Sequence, residues 1–213
     1  MLPWSHLLST WLIRIHPEFS EGLTHTMPRS LKTIFLGAAM TSVLLLATTP
    51  VANAAPFPEL RMADNYAHAW CFGETLPKDQ QDVIFYASDR IDAIPIMDTY
   101  GQTCRSGTDV YFYDKDLDGL RGGYICTTVG PNGRCAYGAI YIDFAYLDSD
   151  PPASRVWHNR RKTAVHEFGH SIGFDHHSPG YHDCPMLQGR VPDDHYKWRY
   201  FPVHDADHVN AAY

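Results

Sequence analysis

The sequence predicts an α+β fold in which several strands are backed by two long helices and followed by a short C-terminal helix. Three observations lead to this prediction. Apolar residues recur at helical spacing from Val83 to Ala93, up to Pro95. Runs of β-branched and aromatic residues lie on both sides of that stretch. A second helical stretch ends in residues 166–178, where two histidines are four residues apart.

The elements follow one another in the order β, α, β, β, then two more strands and two helices. The first helix opens at 76–79, where Asp79 is an acidic residue near a helix start. Asp150 and the two prolines after it are expected to break the chain between the last strand and the second long helix. The strands are predicted at 66–72, 94–100, 109–113, 124–129 and 139–144.

The second long helix is predicted to begin between Ser154 and Asn159. We expect its basic residues 160–162 to face solvent, and its apolar residues to face the core. Those apolar residues are Val165, Phe168 and Ile172. A short helix over 205–213 is expected to close the fold.

Spacing within the second helix predicts a zinc site. His166 and His170 are one helical turn apart, so both imidazoles leave the same face and can hold one Zn²⁺. Gly173 permits a left-handed turn that would bring His176 back as a third ligand. Three protein ligands leave the fourth tetrahedral position for water, which is typical of a catalytic site. Glu167 is placed to act as general base and acid on that water.

The pattern His-Glu-x-x-His-x-x-Gly-x-x-His at 166–176 resembles the zinc motif of metzincin endopeptidases, and His-Glu-Phe-Gly-His is similar to its matrixin form. Met186, ten residues after the last histidine, stands where that family has its Met-turn. Residues 138–145 and 201–212 resemble segments of snapalysin-like small secreted bacterial neutral proteases. The resemblance covers roughly residues 138–213.

This resemblance implies a twisted mixed sheet, with 124–129 as the edge strand that pairs with an extended peptide, and Met186 as an apolar floor under the zinc ligands. His176 stands where snapalysins carry Asp, and His177 where matrixins carry Ser. Gln188 occupies the place of the extra tyrosine ligand of astacins and serralysins, so that ligand is expected to be absent.

Two further groups of polar residues have less specific patterns. His177 and His182 are expected to be exposed loop residues or hydrogen-bond partners of the site rather than ligands. Asp114, Asp116 and Asp118 suit either a calcium loop or a solvated acidic turn. An EF-hand would need Glu at loop position twelve, where Ile125 stands.

The five cysteines indicate disulfides. Cys126 and Cys135 flank a Pro-Asn-Gly turn and are predicted to link neighbouring strands. The second pair is left open among Cys71, Cys104 and Cys184. The odd cysteine is expected to be either a free buried thiol or part of an intermolecular link.

The N-terminal quarter has the pattern of a secretory signal. A basic start at Met27, an apolar region at 34–47 and Ala-Asn-Ala at 52–54 predict a signal peptide over 27–54 that is cleaved after Ala54. The apolar region is too short to span a bilayer, so no membrane attachment is expected after cleavage. Residues 1–26 are interpreted as an over-extended start.

Cleavage would leave a single peptidase domain, 55–213, with 14 Lys and Arg against 22 Asp and Glu, a net charge of −8. No basic cluster is interleaved with aromatic residues, which argues against nucleic acid as a partner. We expect a monomer that takes protein or peptide substrates.

The resemblance and the zinc spacing together predict a secreted zinc metalloendopeptidase, with residues 188–192 walling the pocket for the residue after the scissile bond. Two alternative functions are also compatible with the zinc spacing. One is a secreted zinc-binding or adhesion module without turnover, and the other is a zinc amidase acting on cell-wall peptides.

Overall fold

The structure is a computed structural model that describes residues 62–150, 152–178 and 183–213. These residues belong to the unit Thr49–Tyr213 of the chain. The predicted signal peptide at 27–54, the preceding residues 1–26 and His182 lie outside the described residues.

The element order agrees with the sequence prediction, with one added helix. The strands are β1 (Ala67–Phe72), β2 (Asp98–Gly101), β3 (Val110–Asp114), β4 (Gly122–Val129) and β5 (Cys135–Ile142). The α-helices are α1 (Lys78–Asp92), α2 (Phe144–Ser149), α3 (Val156–Ser171) and α4 (Val203–Ala212). Short 3-10 segments cover Ala153–Arg155 and Tyr196–Arg199.

The described strands form one mixed sheet in the order β2-β1-β3-β5-β4. β1, β2, β3 and β5 pair in parallel, while β4 runs antiparallel to β5 and lies at the edge. The predicted α+β architecture, with a mixed sheet, two long helices and a short C-terminal helix, is therefore confirmed, and β4 is the edge strand as expected.

Helix α1 backs the sheet with one buried face. Its buried apolar residues follow the 3.6-residue period of a helix. Trp70 of β1 and Phe112 of β3 meet edge to face, with ring centroids 5.7 Å apart. Phe168 of α3 packs on Phe112 at 5.1 Å in the same geometry. The two long helices thus share one core with the sheet.

Helix α3 has no solvent-facing side along its second half, because it lies against α1, β4 and β5. Every residue from Lys162 to Ser171 is buried. The expectation that Lys162 faces solvent is therefore wrong. A run of basic residues predicts a helix with a solvent-exposed face, whereas α3 lies in the interior of the fold.

Several strand boundaries also differ from prediction, and two of them have a clear local cause. Phe144 was expected to end the last strand but begins α2, because the Asp143 side chain accepts a hydrogen bond from the backbone N–H of Tyr146 and caps a helix there. β2 starts at Asp98 rather than at residue 94, because residues 91–97 form backbone turn bonds after α1.

Two disulfides are present. Cys126 bonds Cys135 across the β4–β5 hairpin, which confirms the predicted pair. Cys71 bonds Cys104, which resolves the second pair that the sequence left open. Cys184 is a free, buried thiol.

The two bridges are expected to differ in their contribution to stability. Replacing both cysteines of the 33-residue Cys71–Cys104 loop by Ser should lower the unfolding free energy by about 4 kcal/mol, against about 3 kcal/mol for the nine-residue Cys126–Cys135 loop. The reason is that the longer loop removes more entropy from the unfolded chain. Urea unfolding of the two double variants measures the difference. A larger loss from the shorter loop would contradict this account.

Candidate metal centre

The end of α3 and the glycine after it bring three histidines together. His166 and His170 lie on one face of the helix, one turn apart. Gly173 has a φ of +103°, the left-handed conformation expected at the helix exit. Its N–H donates to the carbonyl of His170, and the N–H of Phe174 donates to Gly169. The chain therefore reverses sharply, and His176 returns to the open end of the pair.

The three Nε2 atoms form a nearly equilateral triangle. His166 and His170 have their Nε2 atoms 3.2 Å apart, and His176 has its Nε2 at 3.1 Å from each of them. Tetrahedral ligands at zinc distances of about 2.0–2.1 Å lie about 3.3–3.4 Å from one another. The triangle therefore has the size that one zinc ion requires.

The second nitrogen of each ring fixes which nitrogen faces the centre. Nδ1 of His166 lies 2.8 Å from the carbonyl oxygen of Pro185, and Nδ1 of His170 lies 2.7 Å from that of Phe174. A carbonyl only accepts, so both Nδ1 atoms carry hydrogen and both Nε2 atoms carry a lone pair. These lone pairs point at one another. A bound cation would turn that repulsion into attraction.

Burial also keeps the imidazoles neutral, which is the form that binds metal. Loss of hydration on burial lowers the pKa of His170 to about 4. The same cause lowers the pKa of His166 well below its usual value. It lowers the pKa of His176 as well, although that side chain is only partly buried.

The side-chain amide of Gln188 completes the arrangement at the third ring. Its amide nitrogen Nε2 lies 2.9 Å from Nδ1 of His176. A 180° flip of the amide would place the oxygen there instead, and Gln188 would then accept the Nδ1 hydrogen of His176, as the two carbonyls do for the other histidines. The residue that stands in place of a further tyrosine ligand thus orients a ligand instead.

Met186 lies beneath the histidines and is fully buried. A Cβ on Gly169 would come within 2.7 Å of its Sδ and within 3.1 Å of the Phe201 ring. Glycine is required at this position of the His-Glu-Phe-Gly-His stretch because the Met-turn approaches the helix backbone there. Met186 therefore packs against the backbone of α3 at Gly169, next to His170.

Glu167 is buried beside the three histidines, and a Cβ on Gly122 would come within 2.7–2.8 Å of its side chain. Burial raises the pKa of Glu167 to about 8, and the Lys162 ammonium acts in the opposite direction. Glu167, His166 and His176 all line one open cleft of about 400 Å³. The carboxylate therefore stands at the cleft that leads to the histidines.

Lys162 is a residue of the site that the sequence interpretation missed. Its ammonium donates to the carbonyl of Leu187 and, at 3.2 Å, to that of Gly189. It thereby holds the start of the cleft wall against α3. The sequence does indicate this position, because Lys162 precedes His166 by four residues and therefore lies on the same face of the helix as the histidines.

A second pocket of about 310 Å³ adjoins the cleft on the far side of that wall. Lys162 and Gln188 line both cavities. From the predicted wall at 188–192, Arg190 and Pro192 also line this pocket, together with His177, Leu187 and Trp198.

The three aspartates considered for calcium do not form a site. Asp114 uses one oxygen to accept from the Gln80 amide at 2.7 Å and the other to accept from the Phe144 N–H. Asp116 accepts from the backbone of Asp118. Within the described ranges, these carboxylates are not among the groups whose ligand atoms converge. Calcium binding is therefore not supported, because the carboxylates serve the local turns and the start of α2.

Comparisons with known proteins add little to this geometry. Neither a protein-family model nor a curated protein matches the sequence. The structure is similar to a crystal structure of archaemetzincin from Methanopyrus kandleri, with a TM-score of 0.43 and 14% sequence identity. That match covers 72% of this chain and 96% of the other. The assignment of the site therefore rests on the residues themselves.

No helix within the described part of the chain is long and apolar enough to cross a membrane.

The contact between Gln188 and His176 predicts a measurable effect on metal binding. Gln188→Leu should weaken zinc binding at the three-histidine site by roughly 10–100-fold, because the third ring loses the group that orients it. Competition with a chromogenic chelator measures this affinity. Gln81→Leu is the matched control. Gln81 lies on α1, and its amide donates to the carbonyl of Leu76. Equal affinities for the two variants would contradict the role of Gln188.

Proposed function

We propose that this chain is a secreted zinc metalloendopeptidase that hydrolyses peptide bonds of extended polypeptides. The observation that carries the proposal is the triangle of Nε2 atoms, 3.1–3.2 Å apart, at a cleft that Glu167 also lines. In this proposal His166, His170 and His176 hold the zinc, and Glu167 is the catalytic residue.

The residues have separate tasks in the reaction. A zinc ion bound here would lower the pKa of a bound water towards ~7 and polarise the substrate carbonyl. The positive charge of that ion would keep Glu167 ionised despite its burial, so that the carboxylate can take a proton from the attacking water and return it to the leaving amine. Its position is fixed by Gly122 and by the interior placement of α3.

The edge strand supports binding of an extended chain. β4 begins at Gly122, which contacts Glu167, and its outer edge is not covered by another described strand. A peptide that pairs with this edge would lie across the cleft with its backbone held and its side chains directed to pockets. The pocket of about 310 Å³ behind Gln188 is our candidate for the side chain after the scissile bond.

Secretion is part of the proposal. Its support is the signal-like sequence at 27–54 and the two disulfides, since disulfides persist in oxidising compartments. We further propose that the protein acts as a monomer. The placement near snapalysin-like and matrixin proteases stays a hypothesis that rests on the motif alone.

One comparison separates this proposal from its alternatives. Purified protein is incubated with denatured casein and with peptidoglycan, each with and without a chelator. Chelator-sensitive casein cleavage supports the endopeptidase. Release of cell-wall peptides alone would identify an amidase, and zinc binding without turnover of either substrate would identify a binding module.

Glu167 is expected to be dispensable for zinc but not for hydrolysis. Glu167→Ala should lower casein cleavage by at least roughly 10²–10⁴-fold, because the proton acceptor is lost while the three ligands stay. Zinc content by elemental analysis should equal that of the parent protein. Cleavage at the parent rate by this variant would refute the assigned role.

Neighbouring glycines of β4 provide a positional test. A Cβ at Gly122 would meet the Glu167 side chain at 2.7–2.8 Å and Thr163 at 2.9 Å, whereas nothing lies within 4 Å of one at Gly123. Gly122→Ala should therefore lower kcat roughly 10-fold or more with KM little changed, since the carboxylate is displaced. Gly123→Ala should retain parent activity. Steady-state kinetics on a fluorogenic peptide measures both, and equal kcat values would argue against the contact.

A further inference from the structure

A second group of potential metal ligands lies behind the Met-turn. It consists of His177, Cys184 and Asp205, whose ligand atoms lie within 4.8 Å of one another. Sγ of Cys184 is 3.0 Å from Nδ1 of His177, and Nε2 of His177 is 3.8 Å from Oδ1 of Asp205. The three residues come from three segments: the loop after α3, the Met-turn and the first turn of α4.

Asp205 provides an independent indication of a ligand. It is only 1% exposed, and its Oδ2 is buried without a hydrogen-bond partner among the described residues. Its other oxygen lies 3.0 Å from Nδ1 of His204. A buried carboxylate oxygen without a partner is unfavourable, because no hydrogen bond replaces its lost hydration. A cation at this place would satisfy the oxygen and balance its charge.

Two interpretations without a metal fit less well. A Cys-His-Asp arrangement could be a nucleophilic triad, but Cys184 is fully buried. Burial also raises the pKa of its thiol to about 11, which does not suit a nucleophile. A simple hydrogen-bonded chain is incomplete, because 3.8 Å between His177 and Asp205 exceeds hydrogen-bond distance. Neither interpretation satisfies Oδ2 of Asp205.

We propose that His177, Cys184 and Asp205 form a second metal site that takes Zn²⁺ in a structural role. A thiolate, an imidazole and a carboxylate together are ligands that zinc accepts, and the thiolate disfavours the hard cations calcium and magnesium. His204 supports the site by a hydrogen bond to the carboxylate, as outer groups commonly do for metal ligands. The inference is independent of the peptidase proposal.

The site would fasten the part of the fold that carries the catalytic ligands. His177 directly follows His176, and Cys184 precedes Met186 by two residues. A metal at His177, Cys184 and Asp205 therefore ties the third histidine and the Met-turn to α4. Such a cross-link restricts the described loops at 172–178 and 183–195, which contain no helix or strand.

Cobalt substitution of the whole purified protein tests the proposal. Co²⁺ bound by a thiolate gives an intense near-ultraviolet sulfur-to-metal charge-transfer band, and Cys184 is the free cysteine of the five. We expect two Co²⁺ per chain, with the charge-transfer band developing with one of them. The three-histidine centre has no sulfur ligand, so it cannot produce the band. One Co²⁺ per chain, or two without the band, would overturn the proposal.

Variants assign each ion to its site. Asp205→Asn should bind the second Co²⁺ at least 10-fold more weakly, and Cys184→Ser should lose the band and retain one ion. His170→Ala should lose the catalytic ion and keep the band. Should Cys184→Ser not fold, the unaltered protein and Asp205→Asn still decide the question. A band that persists unchanged in Asp205→Asn would show that the carboxylate is not a ligand.

Discussion

The convergence of three imidazole nitrogens on one point is the constraint on which the rest of this structure depends. Three Nε2 atoms lie within 3.2 Å of one another. Two of those nitrogens carry no hydrogen, because the Nδ1 atoms of His166 and His170 donate to backbone carbonyls. Without a bound cation, the facing lone pairs of these nitrogens repel one another. The surrounding chain must therefore supply the order that the histidines alone would oppose.

Three separate groups orient the three histidine rings. The carbonyl of Pro185 belongs to the Met-turn, the carbonyl of Phe174 follows the glycine exit, and Gln188 belongs to the cleft wall. Lys162 holds the start of the same wall through two carbonyls. Each ring is thus oriented by a segment that is distant from α3 in the sequence or that reverses direction after it. The centre could not be assembled by the helix alone.

Sequence spacing was sufficient for features that follow from local geometry. The pairing of His166 with His170, the left-handed Gly173 and the disulfide across a two-strand turn all depend on residues close in the chain. Lys162 was misplaced because a basic residue on a helix normally faces water, and only the tertiary packing of α3 shows otherwise. The Cys71–Cys104 bridge depends on the parallel pairing of β1 with its neighbours, which no local pattern encodes.

The second ligand group could not have been found by spacing either. His177 and Cys184 are seven residues apart, but Asp205 reaches them only because α4 packs under the Met-turn. The sequence predicts His177 to be either an exposed loop residue or a hydrogen-bond partner of the site. Its actual neighbours, a buried thiol and a buried carboxylate, give it a different chemical environment.

If β4 pairs with a substrate as proposed, the irregular register of the β4–β5 hairpin would limit the length of polypeptide that it can bind. Pairing is regular only from Gly122 to Cys126, after which register shifts appear on both sides of Thr128. The Cys126–Cys135 bridge fixes this irregular end. Five residues of extended strand span about 17 Å, so the uninterrupted ladder open to an incoming backbone is short. The recognition footprint would then be confined to side chains near the scissile bond, and discrimination by remote subsites along this edge would be weak.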